Sequence, residues 1–469
     1  MQQPGKRFRS SVVLVFGFTL AATSVVEARQ QTPATPITIS QAVESALKNY
    51  PAVSVSQEQV NAAAAGVDLA RTAYLPRVDS LAQVNRATRN NVLGLLLPQS
   101  VIPPISGPVL GSNNLGSVWG SAIGGLVTWE PFDFGLRRAG VSAATASKTR
   151  SEATLKRTQF DVAAAAADAY LTLAAGQETV RAAQAGVDRA EVLVRSIRAL
   201  ADAQLRPGAD ASRAEAELAA ARTQLSRAQQ TTEVARAVLA GFVGADPGQI
   251  SLAAPKLPQL PPAQAASPLN AAANPIAIEQ DAAVAQARAH LDVLDKSYHP
   301  RFFAQGSAYS RGTGAQIDGN RLGGVHGLAP NVQNYALGFS VTFPILDLPS
   351  IRAKQAGQSA TVRAETARYL QITTDLTARW NEAAAALEGS RKIAAETPVQ
   401  ISAANAATQQ ATARYQSGLG NIVDVADAQR LLTQAEIDDA LARLGVWRAI
   451  LGVAIAAGDI QPFLNEAAR

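Results

Sequence analysis

The chain has 469 residues, of which 47% are hydrophobic, 5% aromatic and 17% charged, with no cysteine; a large core is possible, while disulfides and thiolate metal sites are excluded. Three histidines, His290, His299 and His326, stand without a second histidine or a carboxylate at ligand spacing on a recognisable helix, which argues against zinc catalysis and imidazole acid–base chemistry. The formal charge of +5 is spread among alanines and carboxylates, without the basic run or interleaved aromatics of a nucleic-acid face.

Lys6, Arg7 and Arg9 precede the apolar stretch from Ser11 to Thr23, and Val26-Glu27-Ala28 follows with small residues where a signal peptidase reads. Residues 1–28 are therefore expected to be a cleaved secretory signal. The apolar run is short for a bilayer span, and no later stretch approaches the ~20 apolar residues that a transmembrane helix needs. No cysteine follows the signal, so no lipid anchor is expected.

The remainder is written twice. Pro51 lies 25 residues before the Tyr74-Leu75-Pro76-Arg77 segment's proline, and Pro275 lies 25 residues before Pro300 in Tyr298-His299-Pro300-Arg301. Val127-Thr128-Trp129-Glu130-Pro131-Phe132-Asp133 is matched by Val341-Thr342-Phe343-Pro344-Ile345-Leu346-Asp347, and both Asp133 to Asp210 and Asp347 to Asp424 span 77 residues. The expected units are a first repeat over 37–244, with a β-hairpin at 77–131 and a helical hairpin at 135–243, and a Pro-rich linker at 245–274. A second repeat follows over 275–452, with a β-hairpin at 300–345 and a helical hairpin at 350–452, then a tail at 453–469.

Within each repeat the hydrophobic period changes. The long Ala-rich, charge-interspersed runs after Pro131 and Pro349 predict helices about 100 Å long at 1.5 Å per residue, which must pack side by side. A bulge or break is expected near Pro398, and near Gly176 and Gly186 at the equivalent level of the first repeat. Trp119, Ser121, Ile123, Gly125, Val127 and Trp129 form a largely apolar strand face, and Tyr335, Leu337, Phe339, Val341 and Phe343 alternate with Ala336, Gly338, Ser340 and Thr342. This is the lipid-and-lumen alternation of a membrane barrel, with hairpin partners expected near 77–88 and 301–311 and outward loops at 90–115 and 312–331. A soluble sandwich is the plainer alternative. Four strands cannot close a barrel, so several chains would have to share one.

With these motifs in order, the chain resembles the TolC-like outer membrane efflux protein family from about Ile37 to Gly452, most specifically over the segment from Tyr415 to Ala428, which is similar to the family's second helix-hairpin tip. The resemblance implies a mainly α fold with a membrane β-barrel: a homotrimer with four strands per chain in a shared twelve-stranded barrel, and long α-helical hairpins forming a periplasmic tunnel. It implies the outer membrane of a Gram-negative bacterium and a passive exit duct for a tripartite efflux pump or type I secretion system. The partners would be a periplasmic adaptor, an inner-membrane transporter and outer membrane lipid. No catalytic residue, cofactor or metal is expected. The competing reading is a periplasmic coiled-coil scaffold or adaptor-type protein without a barrel.

The tips carry the candidate site. Arg206-Pro207-Gly208 and Gly418-Leu419-Gly420 supply reversal chemistry, and Pro207, Gly208, Gly418 and Leu419 are the candidate adaptor contacts, with simple turn geometry as the plainer explanation of the glycines. Counted from Gly208 to Asp210, the first tip reads as shorter than the second, counted from Gly418 to Asp424. Asp210 and Asp424 fall at the starts of returning helices, where a carboxylate caps unsatisfied backbone donors, while Asp427 shares a face with Asp424 beyond what capping requires. In the resembled family, aspartates at these two positions ring the closed entrance. Threefold symmetry would thus place six carboxylates around one axis and favour bound cations. Tyr415 matches a family tyrosine that latches neighbouring helices, with Asp210 as the implied acceptor. Better-known members have an arginine where this chain has Gly420, which implies a less tightly closed resting state.

Overall fold

A computed structural model describes residues 36–88, 116–205, 207–253, 257, 259–262, 269–316 and 320–468. The signal expected at 1–28 and the loop expected at 90–115 lie outside the described residues.

The duplication survives as a repeat of elements. Helix α1 (Ile39–Asn49) opens the first unit with a capping box, in which Gln41 N–H donates to Thr38 Oγ1 at 3.2 Å and Thr38 N–H donates to Gln41 Oε1 at 2.9 Å. A proline then starts α2 (Pro51–Thr72) and, in the second unit, α5 (Pro275–Lys296), each 22 residues long. Strands β2 (Arg77–Thr88) and β3 (Ser117–Phe132) lead into α3 (Leu136–Asp202) and α4 (Gly208–Val243). In the second unit, β5 (Arg301–Thr313) and β6 (Val332–Thr342) lead into α6 (Leu348–Gln416) and α7 (Ile422–Ala457). Two short strands, β1 (Pro36–Ile37) and β4 (Ser251–Leu252), pair in parallel, and α8 (Gln461–Ala468) ends the described chain.

The four long strands form one antiparallel sheet in the order β2-β3-β5-β6, leaving β2 and β6 as edges that are unpaired among the described residues. Register places Val78 opposite Val127, Ala82 opposite Ile123, Ala304 opposite Phe339 and Gly306 opposite Leu337, so the apolar positions of all four strands share one face. That face is uncovered: Tyr335, Leu337 and Phe339 are 82%, 83% and 65% exposed. The opposite face carries Arg77, Asp79, Gln83, Gln305 and Ser307.

The core sits midway along the helices, not in the sheet. Tyr170 and Leu173 of α3, Leu239 of α4, Trp447 and Leu451 of α7 and Phe463 of α8 meet there in one buried cluster, each contributing on the order of 1.5–3 kcal/mol of burial. Tyr170 Oη sits 3.0 Å from Ile37 O and 2.9 Å from Ala253 O, pinning the β1–β4 pair, and burial pushes its pKa up to about 12. The Pro-rich connection is strapped onto this cluster: Leu257 is buried, and Trp447 Nε1 donates to Gln259 O at 3.0 Å.

Three expectations are corrected. The tail expected at 453–469 is structural, because α7 continues to Ala457 and α8 buries Phe463 and Leu464 in the core. The breaks expected at Pro398, Gly176 and Gly186 do not occur; α3 and α6 run unbroken for 67 and 69 residues. Pro398 leaves the Ala394 carbonyl without its usual donor, and the neighbouring Thr397 hydroxyl donates to Asp439 Oδ1 of α7 at 2.7 Å, fastening α6 to α7 at this level. Gly176 and Gly186 serve close helix approach instead: a Cβ at Gly186 would lie 2.9 Å from Thr433 Cγ2, and one at Gly176 would lie 2.7 Å from Thr232 Oγ1. Finally, α7 is, among the described residues, one helix long and apolar enough to cross a membrane, which the sequence count had not found. Its Leu444, Trp447 and Leu451 lie in the core cluster, so its composition reflects helix packing.

Candidate functional site

The two hairpin tips come together at one end of the bundle. Leu193, Val194 and Ile197 of α3, Ala214 of α4, Tyr415 of α6, and Ile422 and Val425 of α7 form a second buried cluster. Above it the hairpins are tied across α3 and α7: Arg189 makes a bidentate pair with Glu436, at 2.9 and 2.6 Å, and also donates to Thr433 Oγ1 at 2.9 Å. Further up, Arg448 Nε donates to Asp168 Oδ1 at 2.8 Å.

At the second tip, α6 ends as a helix often ends when glycine follows it. Gly418 takes φ 78°, the Gly418 N–H donates to Tyr415 O at 3.1 Å, and the Leu419 N–H donates to Arg414 O at 2.8 Å. Asn421 then caps α7 in a reciprocal box: Asp424 N–H donates to Asn421 Oδ1 at 2.9 Å and Asn421 N–H donates to Asp424 Oδ2 at 3.5 Å. Asp424 is thus a third-position partner and Asn421 the cap, a role the sequence reading had given to the aspartate. The signal was present, since Asn421-x-x-Asp424 is a capping-box spacing. Asp427 accepts from Arg430 at 2.9 Å on the exposed surface, so one of the two singled-out carboxylates has a nearby cation that spacing alone did not suggest.

The first tip departs further from expectation. Gln204, not a glycine, holds the left-handed position at φ 58°, and the Leu205 N–H donates to Leu200 O at 2.9 Å as Leu419 does to Arg414. Pro207 is the N-cap of α4 and Gly208 its first residue; a Cβ at Gly208 would meet nothing within 4 Å, so no turn geometry demands glycine there. The counterpart of Gly418 is Gln204, each six residues before its aspartate, and the first tip is not shorter. Leu205 and Leu419 are equivalent, at 71% and 74% exposed; Gly208 resembles Gly418 in type but not in position, which hides Leu205 from a reading of the sequence. Arg206 lies outside the described residues.

The structure brings Tyr415 and Asp210 together: the hydroxyl donates to Asp210 Oδ2 at 3.0 Å, joining the end of α6 to the start of α4. Asp210 makes no cap hydrogen bond through its side chain at Pro207, unlike Asp424 at Asn421. Gly420 packs tightly, a Cβ there falling 3.2 Å from Tyr415 N. Among the described residues no group of three or more His, Asp or Glu side chains converges as a metal site would. His299 stacks on Phe134, with ring centroids 5.1 Å apart, and lies 4.3 Å from the Tyr298 ring.

Comparison with known proteins gives this arrangement a context. A family model described as outer membrane efflux protein matches residues 42–245 and 271–458, which are the two repeats. No curated protein sequence matches the chain at a significant level. Among solved structures, the outer-membrane channel OprN is 23% identical with a TM-score of 0.72, covering 90% of this chain and 89% of its own. The Campylobacter jejuni CmeC outer membrane channel is 16% identical with a TM-score of 0.73, covering 90% and 85%. The outer membrane protein VceC of Vibrio cholerae is 17% identical with a TM-score of 0.70, covering 90% and 96%. Likeness at these identities establishes the fold, and the family match over both repeats establishes more: the chain belongs to the TolC-like outer membrane efflux protein family.

Proposed function

We propose that three copies of the chain assemble into a passive exit duct, with the sheets closing into one twelve-stranded barrel in the outer membrane and the helical hairpins extending into the periplasm. The observation that carries this is the sheet: four antiparallel strands with both edges unpaired and one uncovered apolar face. A periplasmic scaffold without a barrel has no use for Tyr335, Leu337 and Phe339 standing in water. The chain carries its own polar face opposite, suited to a water-filled lumen.

The tip is the gate in this reading. The Tyr415–Asp210 hydrogen bond and the Arg189–Glu436 pair tie the second hairpin to the first, and Asp424 and Asp427 of three chains surround the entrance as a cation-favouring constriction. Leu205 and Leu419, exposed at equivalent points, with Pro207 and Gly418 beside them, present the surface for a periplasmic adaptor, and an inner-membrane transporter supplies the energy. The mature protein begins near Arg29. The test is planar-bilayer recording of the purified protein. Replacing both Asp424 and Asp427 by alanine is expected to raise conductance at least about twofold and to weaken block by Mg2+; unchanged conductance and block would reject the constriction.

A further inference from the structure

The described residues of the two tips correspond in position and cap geometry, and the correspondence singles out a side chain that the gate reading leaves unused. Gln204 and Gly418 are the left-handed exits, and Pro207 and Asn421 are the caps. Asp210 and Asp424 then occupy the same third helical position of α4 and α7, both 36 residues long. Three residues further, on the same face, the equivalence inverts in charge: Arg213 stands where the second tip has Asp427. Both pairs are exposed: Arg213 Nε is 3.9 Å from Glu217 with its side chain 49% exposed, and Asp427, 58% exposed, pairs with Arg430, 74% exposed, at 2.9 Å.

We propose that Arg213 sets the ion selectivity of the open duct by opposing Asp427. The inference rests on the trimeric, tip-gated reading above, in which six tips, two from each chain, surround one axis. While the second-repeat tips lie nearest that axis, six carboxylates from Asp424 and Asp427 line the constriction against the three exposed Arg430 guanidiniums that pair with Asp427, and cations are favoured. When all six tips stand at equal distance, three guanidiniums alternate with three carboxylates at one level. Opposite charges then neutralise one another within about one Debye length, roughly 10 Å at 0.1 M salt, and the preference for cations falls. Opening would thus widen the entrance and cancel its charge together, admitting solutes of either sign. The arginine is needed on the first tip because a second aspartate there would leave an open ring of six carboxylates at this level.

Reversal potentials across a KCl gradient test this, recorded from the full-length trimer in planar bilayers. Tyr415→Phe, which removes the latch hydroxyl, is the open background, and its conductance reports opening. In that background Arg213→Glu is expected to raise the potassium-to-chloride permeability ratio roughly threefold, while Arg213→Lys should leave it unchanged, an outcome that a purely structural role for the guanidinium would not give. Equal ratios for Arg213 and Arg213→Glu in channels of raised conductance would overturn the inference and leave the duct intact. A Tyr415→Phe channel of unchanged conductance would overturn the latch on which the inference rests. Absence of any channel from the unaltered protein would overturn the duct reading itself.

Discussion

Asp133 shows how a single carboxylate can be pulled in opposite directions where a strand turns into a helix. Burial raises its pKa, but the Arg137 and Gly135 N–H groups, at 2.6 and 3.1 Å, and the Arg137 guanidinium, at 2.9 Å, outweigh burial and hold it below the ordinary 3.8. Arg137 also lies over the Tyr74 ring, 4.9 Å from its centroid, so the pair fastens the base of the sheet to the end of α2. Because the folded pKa is depressed, the stabilisation is fully present above the ordinary carboxylate range and is lost as pH falls through the folded value. Asp133→Asn leaves a buried guanidinium without its counterion and is expected to cost about 3 kcal/mol at neutral pH. Thermal unfolding of the two proteins should show that gap, and the gap should narrow as pH drops below 3.8. Sequence alone matched Asp133 to Asp347 but could not foresee that they differ. The partner four residues on is Arg137 in one repeat and Ile351 in the other, so only one of the two aspartates is stapled. The same limit applied at the tips: Asp210 and Asp424 were legible from position, whereas Gln204 was not, because a glutamine at positive φ has no compositional signature.

At the scale of elements, periodicity was legible wherever one face is committed. The alternation that ends at Trp129 and Phe343 marks strands because successive side chains meet different surroundings, and both hairpins lie where it placed them. Helix continuity was less legible, since proline and glycine report only local preference while a 69-residue helix is held by its neighbours. Gly186 illustrates the alternative use of glycine. Its Cα faces Thr433, whose hydroxyl lies 3.0 Å from Gln429 O and accepts from Arg189 at 2.9 Å. A methyl there would meet Thr433 Cγ2 and Oγ1 at 2.9 Å, so α3 and α7 must part or the threonine must give up its partners. Gly186→Ala is therefore expected to destabilise the protein by about 1–3 kcal/mol, read by chemical unfolding. Adding Thr433→Ser, which removes the crowded methyl and keeps the hydroxyl, should recover part of the loss. Full additivity of the two changes would contradict direct contact between them.

For the whole molecule, duplication is the organising fact. Two copies of one plan give helices of matched length, tips of matched geometry and a sheet assembled from two hairpins, with a parallel strand pair, a Pro-rich strap anchored through Leu257 and Gln259, and α8 gathered round the middle. That middle was the least legible part of the sequence. Its strap and terminal helix are short, and their order comes from Tyr170, Trp447 and Phe463 rather than from any pattern of their own. The sheet's two edges, unpaired among the described residues, and its uncovered apolar face leave the single chain incomplete; in the proposed trimer, two further copies would pair the edges and lipid would cover the apolar face. Electron microscopy of the protein extracted from membranes in detergent tests this most directly. The account predicts a threefold tapered cylinder, with a helical part about 100 Å long and a barrel adding about 40 Å. A soluble rod, or a compact monomer whose sheet remains open, would contradict it.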